Sequence, residues 1–202
     1  MPSPPDVARC RQLLAQHRVP PHICRHSEQV ERVAGLLGRA VVKAGVAALD
    51  LAVLRAAALL HDIAKMPCIE NHRDHALEGA RALAGLGLGE IAELVGRHVR
   101  LGPWDPSGPV TGSELLNYSD KRVQHETIVG LRERFEDLLV RYGRGNAEVE
   151  RRIREDWGII TRVEEKIFAR LPFGPEEVEG LVIPDDSAGQ RNRTGPKGPP
   201  AG

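Results

Sequence analysis

Residues 57–67 read AALLHDIAKMP, and this stretch decides the fold. An apolar run with helical spacing ends in His61 and Asp62, and Lys65 follows three residues later. Gly or Pro is the usual signal that ends a helix, so an imidazole, a carboxylate and an ammonium group at this end need another reason. Burying ionisable groups without partners costs free energy. The stretch therefore predicts a polar site inside a helical protein.

The rest of the chain has the same helical pattern. Apolar residues recur at spacings of three and four almost everywhere, and no alternating strand pattern is visible. These spacings predict an all-α fold. The predicted helices cover residues 6–17, 21–43, 49–64, 72–86, 90–99, 112–124, 129–142 and 146–170.

The pattern also predicts the domain organisation. Helical periodicity continues to Leu171, which predicts one domain over residues 1–172 and a C-terminal extension over residues 173–202. The residues beyond Pro184 are mainly Gly, Pro and polar types with little to bury, so disorder is expected from about residue 185. Residues 100–112 contain several Pro and Gly and predict a long loop inside the domain.

Composition excludes several classes of partner. Lys and Arg number 28, as do Asp and Glu, so no net charge draws the protein to nucleic acid or to a membrane surface. Aromatic residues make up only 3%, too few for a platform that stacks single-stranded bases. The three cysteines form no CxxC pair, and no secretory signal is visible. We therefore expect a cytoplasmic protein that binds neither nucleic acid specifically nor membranes.

Histidine and aspartate residues are placed on several predicted helices. A helical bundle brings facing side chains to one interior point, where a metal site can form, and imidazole with carboxylate suits iron, manganese or zinc. Plainer interpretations stay open: a lone histidine can be a surface or core residue, and a His-Asp pair can complement a helix end. The candidate ligands are His26, His61, Asp62, His75, His98 and Asp120.

The order of these residues resembles the H…HD…D signature of the HD-domain metal-dependent phosphohydrolases, which are all-α helical bundles. RHSEQVERVAGLLGRA at residues 25–40 resembles the first ligand helix of that family, and AALLHDIAK at 57–65 resembles its HD turn. HALEGARAL at 75–83 and SDKRV at 119–123 resemble elements of the subgroup with two metals. The resemblance covers about residues 20–140. Its closest subgroup is the bacterial two-metal hydrolases that include dinucleoside tetraphosphate hydrolases.

The resemblance implies a role for each candidate ligand. Asp62 would bridge two divalent ions, iron, manganese or another transition metal, with one or two ions bound per chain. The first ion would also be held by His26, His61 and Asp120, and the second by His75 and His98. His17, His22, His72 and His125 match no ligand position.

The same resemblance implies how a phosphorylated substrate would be bound and cleaved. Two divalent ions with two carboxylates leave an electropositive site that attracts phosphate, and metal-activated water would be the nucleophile. Lys65 would bind a substrate phosphate or polarise the water, although it could also be a solvated cation at a helix end. Guanidinium groups match phosphate geometry, so further candidates for substrate binding are Arg25, Arg97, Arg100, Lys121 and Arg122.

Two functions follow from these expectations. The first is a metal-dependent phosphohydrolase that cleaves a phosphoester or phosphoanhydride, with a small nucleotide as the expected substrate. The second is a catalytically inactive, metal-containing module that binds nucleotides and regulates another process. The presence of all six candidate ligands together with Lys65 favours the enzyme.

Overall fold

The computed structural model describes residues 3–182. Over these residues the fold is an all-α helical bundle, as predicted, with one two-residue antiparallel strand pair. The pair joins β1 (Val123–Gln124) to β2 (Thr127–Ile128), with Val123 opposite Ile128. The α-helices are α1 (Val7–Gln16), α2 (Pro21–Lys43), α3 (Leu51–Leu60), α4 (Lys65–Asn71), α5 (His75–Gly85), α6 (Gly89–Gly96), α7 (Gly112–Lys121), α8 (Leu131–Leu138), α9 (Ala147–Phe168) and α10 (Val178–Leu181).

Side-chain caps begin many of these helices. Asp50 accepts hydrogen bonds from the backbone N–H groups of Ala52 and Val53 at the start of α3, and Asp74 does the same for Ala76 and Leu77 at the start of α5. Thr111 and Glu114 form a reciprocal capping box at the start of α7. These caps satisfy N–H groups that have no partner within the helix.

The core lies between α2, α3 and α7, with α9 across one side. The inward stripe of α2 includes Val30, Val33 and Leu37, all fully buried. Gly38 lets α3 approach closely, because a Cβ atom there would lie 2.8 Å from a methyl carbon of Leu54. Ile167, on the inner face of α9, packs into the same core.

The predicted helix over residues 49–64 is too long. α3 ends at Leu60, a turn covers residues 61–64, and α4 begins at Lys65. Pro67 explains the break, because it lacks an N–H group for a continuous helix and its ring would collide with the preceding turn. In the first turn of α4 the same residue is tolerated. The break leaves His61 and Asp62 at the end of one helix and Lys65 at the start of another.

The described chain continues past the predicted domain boundary at residue 172. A 3-10 helix, Pro175–Glu177, leads into α10, and Val178 is fully buried against the core. The boundary itself stays a prediction, and the predicted disorder from about residue 185 lies outside the described residues. Within residues 3–182 no helix combines the length and apolar character needed to cross a membrane.

Candidate metal centre

Five parts of the bundle place the six candidate ligands at one interior point. His26 lies on the buried face of α2, and His61 and Asp62 lie in the turn after α3. The other three are His75 at the start of α5, His98 two residues after α6, and Asp120 near the end of α7. His61, Asp62 and His98 are at most 2% exposed.

The first group of ligand atoms surrounds the Asp120 carboxylate. Its Oδ1 atom lies 3.2 Å from Nε2 of His26 and 3.6 Å from Nε2 of His61. Nε2 of His61 is also 3.4 Å from Oδ2 of Asp62. His26, His61 and Asp62 can each offer one ligand atom within 4.8 Å of the others, which is close enough to hold one metal ion.

The second group lies on the other side of Asp62. Its Oδ1 atom is 3.3 Å from Nε2 of His75 and 3.7 Å from Nε2 of His98. The two imidazole nitrogens are 3.2 Å apart. Asp62, His75 and His98 are thus also within reach of a single ion. Asp62 belongs to both groups, with one oxygen facing each.

Backbone carbonyl groups orient three of the histidine rings. The Nδ1 atom of His61 donates to the carbonyl of Ala58 over 2.8 Å, and that of His98 donates to the carbonyl of Val95 over 2.7 Å. Nδ1 of His26 is 2.8 Å from the carbonyl oxygen of His125. A carbonyl accepts but never donates, so these contacts keep a proton on Nδ1 and point Nε2, the nitrogen left to bind a metal, into the centre.

Two polar atoms at the centre fit a metal ion. Nε2 of His61 and Oδ1 of Asp62 are buried, and neither has a hydrogen-bond partner among residues 3–182. An unsatisfied buried polar group costs roughly 1–3 kcal/mol. Imidazole nitrogen and carboxylate oxygen are suitable ligands for divalent transition metals, so a bound cation would remove this cost.

The charged groups of the centre change one another's pKa values. Burial alone would raise the pKa of Asp62, but His61 and the other histidines hold it well below its ordinary value. Burial also opposes ionisation of Asp120, yet Lys121, His26 and His61 lower its pKa. Burial would lower the pKa of His61, while both carboxylates raise it to about 10. Two ionised carboxylates therefore face the centre, and a divalent cation would displace the His61 proton on binding.

Lys65 lies at the open side of the centre. Its Nζ atom is 2.6 Å from Oδ2 of Asp62, and its side chain is 35% exposed. The pKa of the Lys65 ammonium group lies above its ordinary value. Burial and the positive charge of Arg134 lower this pKa, but the negative charges of Asp62 and Asp120 raise it by more. Lys65 is therefore a charged donor that contacts both the centre and solvent.

The other predicted substrate-binding residues lie in different environments. Arg25 is exposed and pairs with Glu126 at 2.9 Å, and Arg100 is also exposed. Arg97 donates instead to the carbonyl groups of Leu101 and Pro103, and so holds the loop after α6. Their roles in substrate binding stay predictions.

Two basic residues next to Asp120 are buried. Lys121 donates to the carbonyl of His98 over 2.9 Å and to Asp120 over 3.1 Å, so it supports the ligands of both groups. Arg122 is 4% exposed and donates to the carbonyl groups of Val129 and Pro175. These contacts occupy the guanidinium group within the protein, and a phosphate contact from Arg122 stays a prediction.

Sequence analysis missed the residues that support the ligands. Carbonyl groups three residues before His61 and His98 orient both rings, a local spacing that could have been noticed at two predicted helix ends. The His125 carbonyl is brought to the centre by tertiary packing, for which no spacing along the chain is a signal.

A model of the HD domain matches residues 23–141, more than half of the chain and all six candidate ligands. The chain belongs to the HD domain family. Its members are generally metal-dependent phosphohydrolases that act on small phosphorylated substrates. Neither the curated proteins nor the solved structures include a significant match to the chain.

Proposed function

We propose that this HD domain protein hydrolyses a phosphoester or phosphoanhydride bond of a nucleotide. The observation that carries the proposal is Asp62, whose two oxygens face two separate groups of buried ligand atoms. A carboxylate in that position can join two divalent cations into one centre. Phosphoryl transfer commonly uses paired metal ions that stabilise the attacking and leaving oxygens.

Each group of ligands has a role in the proposal. His26, His61, Asp62 and Asp120 hold one divalent ion, while His75 and His98 share Asp62 to hold a second. When bound, such ions supply Lewis-acid polarisation of a phosphoryl oxygen and activate water. The resident ions are proposed to be iron, manganese or another transition metal.

Lys65 completes the proposed active site as a substrate-binding group. Its ammonium is 2.6 Å from Asp62 and remains partly exposed, so an arriving phosphate would meet it next to the metal centre. The cation would orient the phosphoryl group and offset negative charge that develops during cleavage. Burial strengthens such an interaction because water screens the charges less.

The substrate class follows from charge and from the family. A centre with two divalent ions and two carboxylates keeps a positive charge, which attracts phosphate. The sequence elements at residues 75–83 and 119–123 resemble those of the two-metal hydrolases that include dinucleoside tetraphosphate hydrolases, so nucleotides with a polyphosphate chain are the first substrates to test. Three free cysteines are consistent with a cytoplasmic site of action.

The test is phosphate release by protein reconstituted with Mn²⁺ or Fe²⁺. Nucleoside mono-, di- and triphosphates, cyclic nucleotides and symmetric dinucleoside tetraphosphates would be screened against wild type and Asp62→Asn. Turnover of at least one substrate by wild type alone supports the proposal. A wild-type protein that retains its metals and hydrolyses none of them contradicts it, and favours a regulatory module that binds nucleotides without turnover.

A further inference from the structure

The hairpin turn between β1 and β2 holds a residue in a rare backbone conformation. Its two-residue loop consists of His125 and Glu126, and His125 has a φ angle of 56°. In this left-handed region the Cβ atom is crowded by the backbone, so glycine is the residue that usually occupies it. Another residue persists there only where the surrounding structure fixes it. The contacts of His125 therefore indicate what the turn holds in place.

His125 makes one contact through its backbone and one through its side chain. Its carbonyl oxygen lies 2.8 Å from Nδ1 of His26, a candidate ligand of the first group. Its Nε2 atom lies 3.0 Å from Nη2 of Arg141, and the imidazole accepts this hydrogen bond because a guanidinium group only donates. The turn thus joins a candidate metal ligand on α2 to an arginine that follows α8.

Arg141 lies in a second rare backbone conformation. A π-helix, Leu139–Gly143, follows α8 directly, and Arg141 is its central residue. A π-turn takes one residue more than an α-turn and so redirects the side chains that follow, and such turns often occur at functional sites. Arg141 also donates from Nε to Asp137 over 2.7 Å, which fixes the guanidinium group. Two unusual backbone segments therefore meet through one hydrogen bond beside the metal centre.

His26 depends on tertiary structure for its orientation more than His61 and His98 do. The carbonyl groups that orient His61 and His98 lie three residues earlier in the same segments. The carbonyl that orients His26 lies 99 residues away along the chain. Its position therefore has to be fixed by contacts of the hairpin turn with other elements.

We infer that Arg141 is a positioning residue for the first metal ion and acts through His125. This inference rests on the metal centre of the proposed function. Arg141 fixes the His125 imidazole, and the turn then keeps the carbonyl of His125 at Nδ1 of His26. That contact keeps Nε2 of His26 directed at Asp120, 3.2 Å away, where both can share one ion. Loss of Arg141 should therefore weaken binding of the first ion and leave the second ion unaffected.

The test measures Co²⁺ binding, because cobalt suits imidazole and carboxylate ligands and its visible absorption reports their geometry. In wild type, Arg141→Gln should weaken one of two bound ions. In a His75→Ala background, which lacks a ligand of the second ion, the titration follows the first ion alone. There we expect Arg141→Gln to weaken binding roughly 10-fold, the lower end of the range for groups that orient metal ligands, and to change the spectrum.

Two further variants show whether the effect passes through the turn. His125→Asn should match Arg141→Gln, because asparagine tolerates the left-handed conformation but is too short to reach the guanidinium group. The double variant should bind Co²⁺ no more weakly than either single one, since both break the same link. Arg132→Gln is the control. It removes a positive charge from α8 at a side chain that is 85% exposed, and should leave Co²⁺ binding unchanged.

The outcomes separate this inference from the proposed function. Unchanged Co²⁺ affinity in Arg141→Gln, additive effects in the double variant, or no Co²⁺ binding by wild type overturns the inference. A merely structural contact would lower the unfolding midpoint of the metal-free protein without changing Co²⁺ affinity. His125→Asn decides the matter if Arg141→Gln does not fold.

Measurements of turnover complete the separation. If wild type binds Co²⁺ but hydrolyses no substrate, and Arg141→Gln weakens the binding, the role of Arg141 stands and the proposed hydrolase function does not. If wild type hydrolyses a nucleotide and Arg141→Gln binds Co²⁺ as tightly as wild type, the hydrolase function stands and the inference fails.

Discussion

At the scale of single residues, Asp62 connects the two groups of candidate ligands. Its carboxylate lies within 3.7 Å of three histidine nitrogens and 2.6 Å from Lys65. We predict that wild type reconstituted with Mn²⁺ contains about two ions per chain, and that Asp62→Asn loses most of both, because an amide supplies no negative charge to either group. Elemental analysis measures this. Glu126→Gln, the control, removes an exposed carboxylate and should retain the metal. Equal metal content in wild type, Asp62→Asn and Glu126→Gln would contradict the role of Asp62 as a bridge between two ions.

Lys65 separates substrate binding from metal binding. A protonated amine has no lone pair for a metal, so Lys65→Ala should keep nearly wild-type metal content. Turnover should fall by roughly 100-fold or more, which is the scale for loss of one preorganised electrostatic contact. Steady-state kinetics with the best substrate from the panel measures this. Lys43→Ala, at the exposed end of α2, is the control and should keep wild-type turnover. Wild-type turnover by Lys65→Ala would exclude a catalytic role for Lys65.

At the scale of elements, the close packing of α5 depends on Gly79. A Cβ atom there would lie 3.3 Å from a methyl carbon of Val95, 3.5 Å from one of Ile63, and 3.8 Å from the His61 carbonyl. A valine would therefore push α5, which carries His75, away from the turn that carries His61. We predict that Gly79→Val lowers the free energy of unfolding by roughly 1–3 kcal/mol and reduces metal content.

Gly85 provides the matched control for this prediction. It ends α5, and an added Cβ atom would meet nothing within 4 Å. Gly85→Val should therefore unfold at nearly the wild-type temperature, while Gly79→Val should unfold several degrees lower, at roughly 2–4 °C per kcal/mol. Thermal unfolding by circular dichroism measures both. Equal destabilisation by the two changes would mean that the low helix propensity of valine, and not crowding at the HD turn, lowers the stability.

The elements also show where prediction from sequence succeeds and where it ends. Helical spacing and the order of His26, the His61-Asp62 pair and Asp120 predict both the bundle and the residues it brings together. The apolar spacing runs on through residues 61–64 and so does not predict the start of α4 at Lys65, although Pro67 is a signal for the break. Residue type does not reveal which backbone carbonyls lie beside a side chain, so the contacts of Arg97 with Leu101 and of Arg122 with Val129 could not be predicted.

At the scale of the whole molecule, metal binding and folding should be coupled. The candidate ligands span residues 26–120 and come from α2, α5, α7 and the segments after α3 and α6. An unfolded chain cannot hold them together, so a cation that binds the native centre stabilises the fold. At a free concentration 100 times its Kd, one bound ion raises the free energy of unfolding by about 2.7 kcal/mol.

We therefore predict that Mn²⁺ or Fe²⁺ raises the unfolding midpoint by roughly 5–10 °C, since each kcal/mol shifts a domain of this size by about 2–4 °C. Excess EDTA should reverse the rise, because it removes the ion from the native state. Asp62→Asn should show little of the shift, whereas Glu126→Gln should show all of it. Differential scanning fluorimetry across a metal titration gives both the shift and its dependence on concentration. A wild-type midpoint that does not move with either metal, or a full shift in Asp62→Asn, would mean that these six residues do not form the metal centre.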